Sequence, residues 1–510
     1  MTPVWRNLAL LGATALGAMA LVDPSLAQEA ATAATDAAAA APEAVAEAAA
    51  AAATTVAKAP ELVVNKADDG WMMVSSLLVL LMTVPGVALF YGGMVRTKNM
   101  LSMLTQVFMI QCVVCVIWFV YGYSLTFTSS EGALAPFIGG FSRLFLSGID
   151  SSTVAATFTP GVGIHELVFV CFQMTFAAIT TALAVGGFAE RMKFSAVFLF
   201  SILWVTIVYF PIAHMVWSNP GPADLALNNE VALAASGFGF QMGALDFAGG
   251  TVVHINAGIA GLVGALLVGR RIGYGKEPMP PHSLTLTMVG AALLWVGWFG
   301  FNAGSSLEAN GTAVLAMANT FIATAAAGLS WLLVEWLFKG KPSLLGLASG
   351  VVAGLVAVTP ASGFAGPMGA LVLGLVAGAV CFFFCTAVKS ALGYDDTLDV
   401  FGVHAVGGIL GAIGTGILAA PIYGGTGVVD YTKCEIANGI LTDKCPVGEY
   451  DVAAQVLIQI KNVALTGSWS LVGSVIVFLI ISVVVGLRVS TEKEREGLDI
   501  SEHGERAYNM

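Results

Sequence analysis

The chain has 510 residues, of which 57% are hydrophobic and only 10% are charged, and its mean hydropathy is +0.86. A soluble globular chain of this size does not tolerate such a composition, so we predict an all-α polytopic membrane protein. The formal net charge of -11 and the lack of a basic patch in the sequence speak against a nucleic-acid partner.

The first 27 residues have the pattern of a signal peptide. Arg6 precedes an apolar run too short to span a bilayer, and small residues end the segment at Ala27. An uncleaved first helix is the alternative. Residues 28–69 are rich in alanine with scattered glutamate and threonine. Because large apolar side chains are scarce there, we predict a disordered extracytoplasmic leader.

Apolar windows long enough to cross ~30 Å of hydrocarbon recur from residue 71 almost to the end of the chain. We predict eleven spans within a membrane domain over residues 70–488, and a cytoplasmic regulatory tail over residues 489–510. The spans are 71–92, 100–125, 163–186, 194–216, 246–268, 284–302, 312–337, 343–359, 365–391, 399–420 and 464–488.

Alternate loops between these spans differ in their lysine and arginine content. One set carries most of the basic residues, which are Arg96, Lys98, Arg191, Lys193, Arg270, Arg271, Lys276, Lys339, Lys341 and Lys389, together with those of the tail. Basic loops stay in the cytoplasm. We therefore predict an N-terminus outside and a C-terminus inside.

The cysteines divide into two groups by position. Cys434 and Cys445 lie in one predicted outer loop, in an oxidising compartment, and we predict a disulfide between them. The other five fall inside predicted spans, where a thiol acts as a small apolar packing residue.

Two stretches of the chain share one spacing. Asp246 is followed eight residues later by His254, and Asp396 is followed eight residues later by His404. Each histidine is followed by three glycines at matching intervals, at positions 258, 261 and 264 and at positions 408, 411 and 414. The copies lie five predicted helices apart and therefore cross the membrane in opposite directions. This predicts an inverted-topology repeat of helices 1–5 and 6–10.

The symmetry of such a repeat brings both histidines together near the bilayer centre, ~12 Å from the start of each helix. Paired imidazoles suit proton transfer, because the ring titrates near neutral pH. A metal site is not expected, since neither histidine has a further ligand within one turn. For Asp246 and Asp396 two readings remain open and can coexist: a helix cap, and a carboxylate that lowers the cost of a nearby cation.

From about residue 70 to 510 the chain resembles the Amt/Mep/Rh ammonium transporter family, specifically its bacterial Amt type. The segments that carry the resemblance include PGVALFYGGMVRTKNMLSMLTQ from position 85, FAERMKFSAV from 188, PIAHMVW from 211, GWFGFNAGS from 297, DVFGVHAVGGILG from 399 and GLRVSTEKEREGLD from 486. The resemblance implies a homotrimer in which each subunit has its own narrow apolar pore.

The same resemblance implies roles for individual residues. Trp217, Ser305, Phe172 and Asp246 would form an outer site for ammonium or methylammonium. Phe176 and Phe301 would stack below it as a gate, and His254 and His404 would relay protons in the pore. A PII-type signal protein would bind at the inner face and tail.

These roles together imply that ammonium loses a proton at the outer site, that NH3 crosses the pore, and that the proton follows along the histidines, so that net NH4⁺ uptake carries charge. Two alternatives remain: an ammonium sensor that signals through its tail, and a Rh-like gas channel for NH3 or CO2. Enzyme function has no support in the sequence, which lacks a nucleotide-binding loop or a nucleophile triad, and no cofactor is expected.

Overall fold

The computed structural model describes residues 57–508, and eleven helices in this part of the chain are long and apolar enough to cross a membrane. Their number agrees with the prediction from hydropathy. In chain order, α1 to α11 are Lys66–Met94, Thr97–Phe127, Glu166–Phe188, Phe194–Trp217, Gly250–Val268, Leu284–Gly304, Gly311–Lys339, Leu344–Ala361, Pro367–Leu392, Phe401–Leu418 and Val452–Val484. The predicted signal peptide and residues 28–56 of the predicted leader lie outside the described residues.

The prediction of a disordered leader is wrong for residues 57–69. The backbone of Lys58 pairs with that of Ile440, and strand β1 (Val63–Val64) pairs in parallel with strand β3 (Val162–His165), which also pairs antiparallel with β2 (Val154–Ala156). The side chain of Asn65 then caps α1 by accepting a hydrogen bond from the backbone N–H of Ala67 at 2.9 Å. Order here comes from pairing with distant loops, which local composition does not reveal.

A short hairpin of strands β4 (Ile436–Ala437) and β5 (Ile440–Leu441) lies in the loop between α10 and α11. Cys434 and Cys445 flank it and form the disulfide that their shared loop predicts. We call this end of the molecule the hairpin face.

The opposite end carries two short tail helices, α12 (Thr491–Glu496) and α13 (Leu498–His503), and we call it the tail face. The carboxylate of Glu494 accepts from the backbone N–H of Ile272 at 2.7 Å and pairs with Arg488 at 2.7 Å. The carboxylate of Asp499 accepts from the backbone N–H of Ser102 at 2.8 Å, in the first turn of the α-helical part of α2, where such groups have no partner within the helix. The tail is therefore bound to the ends of the spanning helices.

Buried ion pairs join the loops of the tail face. The guanidinium of Arg271 contacts Asp395 at 2.7 Å and Glu190 at 2.8 Å, and Arg96 contacts Glu190 at 3.1 Å. Burial would raise the pKa of Asp395, but the hydrogen bonds and charge of Arg271, with the charge of Arg191, outweigh it and hold that pKa below its usual value. These carboxylates thus stay ionised and tie the loops together.

The central helices approach each other through glycine. A β-carbon on Gly258 of α5 would collide with the backbone nitrogen of Ala405 of α10, and one on Gly408 would lie 2.8 Å from the carbonyl oxygen of Gly250. Small residues allow this approach, which is typical of packed membrane helices. Both helices also begin with π-helical turns, Gly250–Ile255 and Phe401–Ala405, each of which carries one of the two histidines.

We expect Arg271→Ala to destabilise the protein by about 3–5 kcal/mol, because Asp395 loses its ion-pair partner and Glu190 keeps only Arg96. Thermal melting of the purified protein in detergent measures the effect as a lower melting temperature. Lys276→Ala removes a cation from an exposed position of the same loop and serves as the matched control. Equal melting temperatures for the two variants would show that the buried pairs contribute nothing.

Candidate functional site

The site is built around His254 and His404, whose rings are in contact. Their Nδ1 atoms lie 3.3 Å apart and the ring planes are nearly parallel, at 18°. The residues are 1% and 3% exposed, respectively. A neutral imidazole has one donor and one acceptor nitrogen, so this geometry allows one Nδ1–H to donate to the other Nδ1.

Aromatic and polar side chains of α6 and α8 fix the ring of His254. The indole of Trp298 stacks on it at 5.3 Å between ring centroids, and the indole N–H donates to the hydroxyl of Thr359 at 2.9 Å. Phe301 contacts the same imidazole at 5.9 Å. Among the described residues, the Nε2 atom of His254 is buried and has no hydrogen-bond partner. This nitrogen is therefore available to a small molecule in the site.

Phe176 and Phe301, the predicted gate, stack face to face on the hairpin side of the histidines. Their ring centroids lie 4.2 Å apart at an interplanar angle of 17°. Phe172 packs edge to face against Phe176, with 4.9 Å between ring centroids. Trp217 also packs edge to face against Phe176, with 5.7 Å between ring centroids. The rings therefore form one continuous column from Trp217 at the end of α4 to His254.

Trp217 and Ser305 lie at the hairpin-side ends of α4 and α6. The indole N–H of Trp217 donates to the backbone carbonyl of Asp246 at 3.0 Å, which fixes the plane of the indole. Ser305 is buried, and its hydroxyl donates to the carbonyl of Phe301 at 2.8 Å, so the oxygen keeps its lone pairs. An aromatic face and a hydroxyl acceptor are groups that recognise a small cation with several N–H donors.

The carboxylate of Asp246 points into the start of α5, where it acts as a cap. One oxygen accepts from the backbone N–H groups of Gly249 at 2.9 Å and Gly250 at 2.6 Å. The other accepts from the backbone N–H of Thr251 at 2.9 Å, its hydroxyl at 2.5 Å, and the N–H of Val252 at 3.1 Å. The carboxylate of Asp246 thus acts as a helix cap. Asp246 contacts Trp217 through its backbone carbonyl and not through its carboxylate.

Asp396 occupies the matching place before α10, at the tail face. Its residue is fully buried, one oxygen accepts from the N–H of Phe401 at 2.8 Å, and nearby Lys389 pairs with Asp399 at 2.7 Å. The sequence identified this aspartate by spacing alone. Trp298 and Thr359 were not separable from ordinary packing residues in the sequence, because their roles depend on contacts across three helices.

Comparison with known proteins shows the family of the chain. The sequence model of the Ammonium Transporter Family matches residues 70–508. The chain belongs to this family. An ammonium transporter of Aquifex aeolicus is 46% identical over 452 residues, which cover 87% of this chain and 95% of that protein. An ammonium transporter of Bacillus subtilis is 41% identical over 444 residues, covering 86% of this chain and 98% of that protein.

Solved structures of the family have the same fold. Mep2 of Saccharomyces cerevisiae superposes with a TM-score of 0.70 at 32% identity, over 84% of this chain and 88% of that chain. A structure described as a sensor Amt protein superposes with a TM-score of 0.73 at 27% identity, over 86% of this chain and 98% of that one. The eleven spans and the family membership make the chain a multi-pass membrane transporter protein.

The close approach of α5 and α10 yields a prediction about stability. We expect Gly258→Ala to lower the melting temperature and the folded yield, because its methyl group would collide with the backbone of Ala405. Gly467→Ala is the matched control: it lies inside α11 with open space around it, and replacing a helical glycine by alanine favours the helix by up to about 1 kcal/mol. Equal melting of both variants in detergent would contradict the packing described here.

Proposed function

We propose that the chain moves ammonium across the bacterial inner membrane in three steps. Ammonium binds at the hairpin face beside Trp217 and loses a proton, NH3 passes the aromatic gate, and the proton travels along His254 and His404. The observation that carries the proposal is the contact of the two buried imidazoles, at 3.3 Å between Nδ1 atoms, at the end of an aromatic column.

The entry site is proposed at Trp217 and Ser305, with Phe172 beside them. An ammonium ion offers four N–H donors and a delocalised charge, which suit an indole face and a hydroxyl oxygen. A desolvated cation–π contact contributes about 2 kcal/mol. Asp246 supports the site from behind, since its carbonyl holds the indole and its carboxylate places negative charge near the arriving cation.

The gate formed by Phe176 and Phe301 opposes ions and admits neutral molecules. Moving a charge into an apolar pore costs from a few to more than ten kcal/mol, so a stacked aromatic pair is a barrier to K⁺ and Na⁺. Those ions cannot lose a proton, whereas ammonium can. Selectivity then follows from acid–base chemistry more than from size.

The histidine pair decides whether a proton crosses together with NH3 or whether NH3 crosses alone, as a gas would. If the proton stays outside, NH3 moves down its own gradient, as in a Rh-like channel. If the pair conducts the proton, the net species is NH4⁺, and the membrane potential adds about 2.3 kcal/mol per 100 mV to the driving force. We favour the second case because the Nδ1 atoms are within reach of one hydrogen bond.

The orientation and assembly in this proposal follow from the distribution of charge and from the family. The tail face bears Arg96, Arg271 and Arg488 in ion pairs, and we assign it to the cytoplasm because basic loops stay inside. The hairpin face with its disulfide is then outside, and the odd number of spans places the two ends of the membrane domain on opposite sides. We further propose a homotrimer and, at the tail face, docking of a PII-type signal protein.

The relay is tested by current across proteoliposomes that contain the purified protein. We expect a jump in ammonium concentration to evoke a current in the wild type and none in His254→Ala or His404→Ala, because either change breaks the chain of proton acceptors. His214→Ala is the control for loss of a buried imidazole away from the histidine pair, since the ring nitrogens of His214 lie 2.8 Å from the backbone carbonyl oxygens of Thr126 and Ala135, one of which accepts its N–H. Undiminished current in both pore variants would rule the relay out.

The entry site is tested by saturation of the same current. Trp217→Leu removes the aromatic face, and a loss of about 2 kcal/mol raises the half-saturating ammonium concentration about 30-fold. Trp336→Leu, at an exposed position of α7, is the matched control and should leave the concentration unchanged. An unchanged value in Trp217→Leu would place binding elsewhere.

A further inference from the structure

The two aspartates at matching places in the repeat are bonded differently. Both oxygens of Asp246 are occupied by donors from the first turn of α5. For Asp396, one oxygen accepts from the N–H of Phe401 at 2.8 Å, while the other, Oδ1, is buried and has no partner among the described residues. Burial of an acceptor without a donor costs free energy, so such a group in a folded protein calls for an explanation, and a role in proton transfer is one. A structural cap alone therefore accounts for Asp246 and not for Asp396.

Asp396 lies between the first turn of α10 and a partly exposed ion pair of the tail face. Its carboxylate caps the turn that begins at Phe401, and His404 follows three residues later, about 4.5 Å along the helix axis. Side chains on a helix lean towards its N-terminus, so the imidazole of His404 leans towards the aspartate. On the other side lies the ion pair of Lys389 and Asp399, whose side chains are 16% and 37% exposed.

The surroundings of Asp396 favour a carboxyl that exchanges protons. Burial raises its pKa to about 6, the charge of Lys389 opposes that shift, and the charge of Asp399 adds to it. The titratable and charged groups that face it from the neighbouring segments are Tyr91 of α1, Cys385 and Lys389 of α9, and Tyr394 and Asp399 of its own loop. The cation among them is already paired with Asp399 and so does not lock Asp396 in an ion pair.

We propose that Asp396 is the proton-accepting residue at the cytoplasmic end of the histidine relay, with its free Oδ1 atom as the acceptor. This inference rests on the proposed function, and it names the residue that receives the proton after His404. A proton leaves a nitrogen of His404 for the carboxylate, which becomes a carboxylic acid. The acid then gives that proton to NH3 that leaves the pore, forming NH4⁺ and restoring the carboxylate.

The test compares current and saturation in proteoliposomes. Asp396→Asn keeps a capping side chain, because asparagine caps helices as well as aspartate does, but it removes the acceptor. We expect the maximal current to fall at least about tenfold, in line with loss of one general acid–base group, while the half-saturating ammonium concentration stays unchanged. Asp396→Glu restores a carboxylate and should recover part of the current.

The pH profile separates this role from a structural one. An ionised Asp396 is needed to accept the proton, so wild-type current should fall as the pH on the tail side drops through about 6, and Asp396→Asn should lose that dependence. Asp451→Asn makes the same chemical change at the N-cap of α11 and should keep both the current and the profile.

Each outcome decides between the two proposals. Full current and an unchanged pH profile in Asp396→Asn, with current still absent in His404→Ala, would overturn the assignment of Asp396 and leave the relay standing. No current in the wild type would overturn the proposed function itself. Should Asp396→Asn fail to fold, the wild-type profile decides, and a flat response between about pH 7.5 and pH 5 on the tail side would refute the inference.

Discussion

A charge at the centre of a bilayer costs from a few to more than ten kcal/mol, and this cost bears on every group that lines the aromatic column. The column that runs from Trp217 through Phe176 and Phe301 offers almost no polar group to replace water around an ion. The polar atoms that do occur at its end belong to two imidazoles in contact. An ion that can lose a proton to become a neutral base is suited to such a column. The neutral base can pass the apolar part, and the proton needs groups that accept and donate it, such as the imidazoles.

The rest of the fold holds those two rings in place. Glycines let α5 and α10 approach until backbone meets backbone, and the π-helical turns at the start of each helix carry the histidines. Trp298 fixes the ring of His254 by stacking and is itself fixed by Thr359. At the tail face, buried ion pairs around Arg271 and the docked tail hold the ends of the spanning helices. The contact between the two imidazoles thus depends on packing far from the rings themselves.

Much of this could be predicted from the sequence, for identifiable reasons. Hydropathy locates the spans, because the thickness of the hydrocarbon layer sets their length. The spacing from Asp246 to His254 recurs from Asp396 to His404, and this repeat predicts the contact between the two histidines. The order of residues 57–65 was missed, because it depends on pairing with loops far along the chain. The different bonding of the two aspartates was also missed: equal spacing fixes where a carboxylate lies, not which donors reach it.

Nitrogen-15 magnetic resonance of the full-length protein, labelled at histidine, in lipid bilayers at neutral pH tests the histidine contact most directly. We expect His254 and His404 both to be neutral and to share one hydrogen bond, in which one Nδ1 carries the proton and the other Nδ1 is the acceptor. Two unprotonated Nδ1 atoms, or a stable imidazolium cation at either residue, would contradict this expectation.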